Sequence, residues 1–123
     1  MTIGLSEANV NLRNVDNLLF SSSDVKTRTV VIATAARYSS GTALPQGLLL
    51  GKITASGKYV EFVGGASDGT QLDAAAVVLV EPVDVVDGDV VATVVYEGTL
   101  KGDGIVGDFG NLDTALCPDL TFI

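Results

Sequence analysis

The chain contains no histidine, so its candidates for acid–base or nucleophilic chemistry are carboxylates and one thiol. Imidazole is the only side chain whose unperturbed pKa lies near neutral pH. The sequence therefore excludes nucleophilic catalysis by Ser–His or Cys–His pairs, and it excludes metal sites built on histidine.

Three carboxylates, Asp84, Asp87 and Asp89, crowd around one predicted turn. Grouped carboxylates can exchange protons with a substrate or bind calcium. Asp beside Gly is also the ordinary composition of a tight turn, because its short carboxylate bonds to nearby backbone N–H groups. Asp68 and Asp103 lie in similar loops that lack the ligand spacing and terminal Glu of an EF-hand. We predict turn chemistry at all five positions, and no catalytic, metal or cofactor-binding residue.

Cys117 is the only cysteine, so no intramolecular disulfide can form. The neighbouring sequence offers neither a base nor a cation that would activate the thiol. We predict a small buried hydrophobic residue, with an intermolecular disulfide as the alternative. A fold that rests on packing alone suits a reducing compartment.

The charge balance and the apolar runs indicate which partners to exclude. Seven basic against fifteen acidic residues give a net charge of −8, and no glycine-rich phosphate loop is present. The longest apolar run, Ala74–Val80, is far shorter than the roughly 20 residues of a membrane-spanning helix. The first 15 residues lack the features of a signal peptide. We expect no nucleic acid, no membrane and no small-molecule substrate as a partner.

The length of 123 residues fits one domain preceded by an arm. Residues 1–28 mix isolated apolar positions with Asn, Ser and Asp, without helical or strand periodicity, and we assign them to an N-terminal arm that is flexible until bound. Residues 29–123 form the single β-rich domain. A frayed terminus without a role is the alternative for the arm, but Leu18-Leu19-Phe20 favours burial on a partner. Hydrophobic residues make up 47% of the chain, so we also expect apolar surface to be buried between chains.

The domain sequence predicts short strands joined by tight turns. A first strand begins at Thr27, and a hairpin turns at Ser56-Gly57. The run of residues 74–83 shows no alternation, which is typical of a strand covered on both faces. Asp87-Gly88 between valine-rich segments predicts a second hairpin, whose second strand covers Asp89–Glu97.

Two further expectations concern the first hairpin and the end of the chain. Alternation at period 2 divides the strand after Ser56-Gly57 into an inner face, Val60 and Phe62, and an outer face, Tyr59, Glu61 and Val63. A single helical turn is expected within Asn111–Cys117, and Leu120–Ile123 is expected to form a closing strand.

Five pieces of the sequence, in this order, carry a resemblance to a known family. They are "ALPQGLLLGKIT" (43–54), "SGKYV" (56–60), "GASDGTQ" (65–71), "AVVLVEPVDV" (76–85) and "DGDVVATVVYEG" (87–98). Each piece alone is ordinary strand-and-turn sequence, and it is their order and spacing that are specific. Together they resemble the head decoration proteins of tailed phages, the family of lambda's capsid-stabilising protein.

The resemblance implies a mainly β (β-rich α+β) fold: a compact β domain with hairpins, a minor short helix and an extended N-terminal arm, assembled as a trimeric spike. It implies a cement protein without enzymatic activity, made in the host bacterial cytoplasm. Its partners would be the major capsid protein and two further copies of itself. Its place would be the outer surface of the expanded head, at threefold and quasi-threefold sites.

For such a cement protein we predict that the arm carries the contacts with the shell. The candidate residues are Leu5, Leu12, Leu18 and Phe20. Each arm loses conformational entropy when it orders, but three linked arms bind with avidity.

Two other functions fit a trimeric β domain. A phage fibre or adhesin domain would bind a host glycan, and exposed aromatic platforms would identify it. The only candidates for such platforms are Tyr38, Tyr59 and Tyr96, since Trp is absent. A small trimeric nucleotide hydrolase would need acidic residues in clefts shared between chains, and metal-dependent nucleotide turnover would reveal it.

Overall fold

The computed structural model describes residues 25–117 and 119–122. The fold is mainly β, as predicted, with 40% strand and 12% helix, and the described helices are all short 3₁₀ turns. In these ranges no helix has the length and apolar character needed to cross a membrane.

Eight strands are present in the described chain. They are β1 (Lys26–Ile32), β2 (Ala43–Leu44), β3 (Leu49–Lys52), β4 (Tyr59–Glu61), β5 (Val77–Leu79), β6 (Val83–Asp84), β7 (Val90–Leu100) and β8 (Leu120–Phe122). The 3₁₀ turns cover Asp73–Ala75, Gly102–Gly104, Phe109–Asn111 and Thr114–Leu116.

Six of the strands form one curled sheet in the order β1-β4-β3-β5-β7-β8, which closes because β1 also pairs with β7. The β1–β7 ladder is antiparallel and runs from Lys26 opposite Glu97 to Ile32 opposite Val90. β2 and β6 form a separate two-stranded ladder. The valine-rich composition of β5 and β7 suits their positions, because β-branched side chains pack well on a pleated surface.

Two apolar clusters fill the fold, one against each face of the central strands. The Phe62 cluster contains Leu49, Phe62, Ala76, Val78, Val80, Val95, Leu100, Ile105, Leu112, Cys117 and Leu120. The Ile32 cluster contains Ile32, Ala33, Ala36, Leu44, Leu48, Leu50, Tyr59, Val60, Val77, Leu79, Val85, Ala92 and Val94. β5 contributes Val78 to the first and Val77 and Leu79 to the second, which confirms the prediction of a strand covered on both faces.

The predicted hairpin at Ser56-Gly57 is confirmed. β3 and β4 pair antiparallel, with Gly51 opposite Val60. The Gly57 N–H donates to the Ile53 carbonyl at 2.8 Å, and Gly57 has φ +75°, a conformation that favours glycine.

The predicted hairpin at Asp87-Gly88 is wrong. A turn does form there, since the Gly88 N–H donates to the Val85 carbonyl at 3.2 Å, but β6 pairs with β2 and β7 pairs with β1. The expected first arm of the hairpin ends early, because the Asp84 carboxylate accepts the Val86 N–H at 2.9 Å and bends the chain after two strand residues. The predicted second arm is present within β7, and it pairs with seven residues of β1 instead.

The predicted outer face of β4 is also partly wrong. Tyr59 is only 3% exposed and packs in the Ile32 cluster, as does its neighbour Val60. Phe62 lies in the other cluster. A three-residue strand covered on both sides shows no amphipathic alternation, so Glu61 and Val63 alone keep the expected exposure, partial for the first and 42% for the second.

The end of the chain follows the prediction. The 3₁₀ turn Thr114–Leu116 lies within the expected helical segment, and β8 pairs parallel with β7, with Gly98 opposite Leu120. At the other end, β1 begins at Lys26, so residues 26–28 of the predicted arm are part of the sheet. The remainder of that assignment, residues 1–24, lies outside the described residues and stays a prediction.

Gly51 offers a test of this packing. A Cβ at Gly51 would lie 2.8 Å from the Cα of Thr70 and closer still to the Thr70 carbonyl oxygen, and this backbone cannot move aside freely. We expect Gly51→Ala to lower the free energy of unfolding by about 1–3 kcal/mol, measured by urea denaturation. A Cβ at Gly65 would meet no atom within 4 Å, so Gly65→Ala is the matched control and should change stability by less than about 0.5 kcal/mol. Equal effects of the two substitutions would contradict the close approach.

Candidate interaction surface

β1 is the least covered strand of the sheet, and one of its edges is largely open. Six of its seven residues are exposed or partly exposed, and only Ile32 is buried. β7 pairs along one edge, whereas β4 meets the other edge only where Ile32 lies opposite Tyr59. Within the described chain no strand lies beside Lys26–Val31 on that side. An open strand edge is a template for another chain.

One face of the β1–β7 ladder is uncharged and bare. Val31 lies opposite Val91, and Thr29 lies opposite Thr93. Val31 is 38% exposed and Val91 is 69% exposed. We call these four residues the Val31–Val91 face. Alternation places Val95 on the same side of β7, where the Phe62 cluster buries it fully, so the cluster that covers this side ends before Val91.

The opposite face of β1 is held by Arg28. Its Nη2 donates to the Tyr59 hydroxyl at 3.0 Å, and its guanidinium carbon lies 5.0 Å from the centre of the Tyr96 ring. A cation over an aromatic ring at an exposed site contributes about 0.5–1 kcal/mol. Arg28 therefore connects β1 to β4 at a level where no backbone ladder joins them.

Val25, the residue before β1, packs closely against Gly98. Gly98 has φ +132°, and a Cβ there would lie 2.6 Å from the Cα of Val25. Next to this contact, Lys26 forms an ion pair of 3.2 Å with Glu97, and the hydrogen bond to Glu97 raises the pKa of the Lys26 ammonium. The exposed ion pair adds little stability. Val25 is thus packed closely on Gly98 immediately before β1 begins.

Of the carboxylates singled out in the sequence, Asp68 and Asp84 bond within their own turns, as predicted, whereas Asp89 contacts two distant loops. Asp89 accepts the Thr34 N–H at 2.8 Å and pairs with Lys58 at 2.6 Å, and the hydrogen bond from Lys58 lowers the pKa of the Asp89 carboxyl. Asp68 accepts both the hydroxyl and the N–H of Thr70, and the hydroxyl bond is the main reason that the pKa of Asp68 is lowered. Within the described part of the chain, no three His, Cys, Asp or Glu side chains converge on a point where a metal could bind.

Cys117 lies in the Phe62 cluster and is 9% exposed. Its S–H donates to the carbonyl of Asp73 at 3.4 Å, and burial raises the pKa of the thiol above its usual value. The prediction of a small buried hydrophobic residue is confirmed. A raised pKa disfavours the thiolate, which is the reactive form.

The tyrosines do not form the aromatic platform that a glycan-binding domain would show. Tyr59 is buried, and the ring of Tyr96 carries Arg28. Tyr38 is half-buried beside an open cleft, where the Arg37 N–H donates to the Glu61 carboxylate at 2.8 Å. The polar groups of this cleft thus serve the loops around it.

The predicted arm contacts Leu5, Leu12, Leu18 and Phe20 lie outside the described residues and stay a prediction. The Val31–Val91 face was not predicted from the sequence. The sequence signal for this face is that the alternate residues Thr27, Thr29 and Val31 are all uncharged. Only the register of β1 on β7 shows that Val91 extends the same face.

Comparison with known proteins identifies one matching family. The family model described as bacteriophage lambda head decoration protein D matches residues 9–111. The match covers the five segments that carried the resemblance, the whole of β1, and most of the predicted arm. No curated protein matches the chain.

The ion pair between Lys58 and Asp89 should make the stability of the domain depend on pH. Because the folded state lowers the pKa of Asp89, the pair contributes stability above the ordinary carboxyl value of 3.8, and this contribution is lost as the pH falls below it. We expect Asp89→Asn to lower the melting temperature at pH 7. The difference from the native protein should shrink as the pH approaches 3, in melting curves recorded at intervals from pH 7 to 3.

Asp87→Asn removes the same charge from the same exposed loop and is the control. It should lower the melting temperature at pH 7 by less than Asp89→Asn does. If the difference in melting temperature between the native protein and Asp89→Asn stays constant down to pH 3, the carboxylate charge of Asp89 does not contribute to stability.

Proposed function

Because this chain belongs to the family of bacteriophage lambda head decoration protein D, we propose that it binds as a trimer to the outer surface of the expanded phage head and stabilises the head against the pressure of packaged DNA. The family match over residues 9–111 is the observation that carries this proposal. Membership gives the coarser statement directly: this is a phage head decoration protein, a structural component that associates with the capsid of the virion.

The finer proposal concerns partner and place. The partner is the major capsid protein, and the sites are the threefold and quasi-threefold positions of the outer surface. The protein is made in the cytoplasm of the host bacterium. A net charge of −8 supports a place away from nucleic acid, because an acidic surface does not displace the counterions of DNA.

The organisation of the described domain supports a role in cementing rather than in catalysis. Asp68 bonds within its own turn, Asp89 bonds to Thr34 and Lys58 of two other loops, and Cys117 is buried with a raised thiol pKa. What the domain offers to a partner is the open edge of β1 and the bare face beside it. These are features of a protein that acts through surfaces.

The arm is the proposed contact with the shell. Val25, the first described residue, packs against Gly98 just before β1. Leu5, Leu12, Leu18 and Phe20 supply the apolar groups, and the arm adds a strand to an exposed sheet edge of the capsid protein. One arm binds weakly because ordering it costs entropy, and three arms on one trimer raise the effective concentration of each.

Preference for the expanded shell follows from linkage. A ligand that binds only one of two states stabilises that state by RT ln(1 + [L]/Kd), which is about 2.7 kcal/mol per site at a concentration 100 times Kd. If the arm's binding edge is exposed only after expansion, the protein stabilises the expanded head and leaves the precursor unaffected. The timing then requires no switch inside the decoration protein.

Deletion of residues 1–20 tests the role of the arm. The purified chain is mixed with undecorated precursor heads and expanded heads, and the bound copies are counted by co-sedimentation. We expect saturable binding of the full chain to expanded heads, with three copies per threefold site as the symmetry requires. The deletion should abolish binding and leave the melting temperature unchanged, because the arm is proposed to become ordered only when it binds the shell.

Substitutions in the full-length chain test whether binding requires the apolar side chains of the arm or only its length. Leu5, Leu12, Leu18 and Phe20 changed together to Ser should lose binding, whereas Asn9, Asn11, Asn14 and Asn17 changed together to Ser should keep it. Binding by the deletion would remove the arm from the proposal. If the full chain binds neither kind of head, the cementing function itself is wrong, and glycan binding becomes the next function to measure.

A further inference from the structure

We propose that the Val31–Val91 face is the surface through which copies of this chain contact one another, at the axis of a closed trimer. The inference rests on the proposed function for the number of copies. Its own content is the location of the contact, which neither the family match nor the sequence gives.

The first support is that the two valines form a continuous apolar surface. Val31 and Val91 lie directly opposite each other in an antiparallel ladder, where the Cβ atoms of paired residues are about 4.5–5.5 Å apart. Thr29 and Thr93 extend the surface by one more pair. Strands present such a face as a flat layer, and β-branched side chains pack well against a similar layer.

The other exposed large hydrophobic side chains of the described chain are isolated among acidic residues. Val86 lies between Asp84 and Asp87, Leu72 precedes Asp73, and Leu116 follows Asp113 in the same short turn. Val63 lies at the edge of the cleft that Asp108 also lines. Only Val31 and Val91 are exposed large hydrophobic residues paired across two strands of this part of the chain.

Charge favours a second copy as the occupant. Each chain carries a net charge of −8, so contact between two copies is least opposed where the meeting surfaces carry no acidic groups. The Val31–Val91 face contains no charged residue. The neighbouring Arg28 donates to the Tyr59 hydroxyl and lies over the Tyr96 ring on the opposite face of β1, and Lys26 is paired with Glu97. The face is therefore suited to a neutral contact between like-charged copies.

The position of the face also fits the use of several arms. Val25, where the arm begins, is six residues from Val31 along an extended strand, or about 20 Å at 3.3 Å per residue. If Val31 and Val91 of three copies meet at the axis, the three arms start within a few tens of Å of one another. Closed rotational symmetry then leaves no open surface on which further copies could add.

Val91→Lys tests the contact in solution. Lysine at a position that is 69% exposed should not disturb the fold, and three lysines at the axis should repel. We expect sedimentation velocity to show three chains for the native protein, and a single chain of 12.6 kDa for Val91→Lys at the same concentration, with at least a tenfold weaker association. Leu116→Lys, at a residue 58% exposed on another part of the domain, is the control and should remain a trimer.

Cross-linking covers the case in which copies associate only on the head. Val91→Cys is treated with a short bis-maleimide, free and bound to expanded heads, with Leu116→Cys as the control. The buried Cys117 should not react, since its thiol has a raised pKa. Cross-linked chains from Val91→Cys alone, in either setting, would support the inference.

Three results would overturn it: a Val91→Lys protein that remains a trimer, a Val91→Lys trimer that has lost head binding, which would assign the face to the shell, or no cross-link through Val91→Cys in either setting. A native trimer that fails to bind heads, but that Val91→Lys dissociates, would refute the proposed function and leave the self-contact standing. The two failures are thus distinguishable.

Discussion

The pairing of β7 on both of its edges is the constraint on which the rest of this structure depends. Its eleven residues pair with β1, β5 and β8, so one strand joins the beginning, the middle and the end of the described domain. Alternation along it sends Val94 into the Ile32 cluster and Val95 into the Phe62 cluster. Loss of the register of β7 would therefore disconnect both halves of the core, and every surface described above is defined relative to this strand.

The features predicted correctly from the sequence are those that depend on neighbouring residues in the chain. The turn at Ser56-Gly57 needs one residue with positive φ, and the buried strand β5 needs only a continuous apolar run. The prediction of a hairpin at Asp87-Gly88 was wrong because β1 and β6 compete to pair with β7. β1 offers seven paired residues, whereas β6 has only two residues. Tyr59 and the Val31–Val91 face were missed for the same reason, since burial and neighbours across strands depend on long-range register.

Polar chemistry in this domain is used to position backbone. The Asp89 carboxylate joins the loop at Thr34 to Lys58, Asp68 closes its own turn on Thr70, and Arg28 fixes β1 on the tyrosines of β4 and β7. Each of these side chains bonds to a group of the same chain and holds a loop or strand end in place. A domain that uses its charged groups in this way keeps a rigid shape, which suits a component whose proposed work is to hold other proteins in place.

The most exposed strand of the sheet is also the strand best placed to respond to binding. β1 has one long backbone ladder, one buried residue and the Arg28 contact, so less of its surface is covered than that of β5 or β7. A partner that adds to its open edge or covers its bare face acts directly on this strand, and the proposed arm joins the domain through it. The proposed contact between copies and the proposed attachment of the arm therefore both involve β1, above the core formed largely by the other strands.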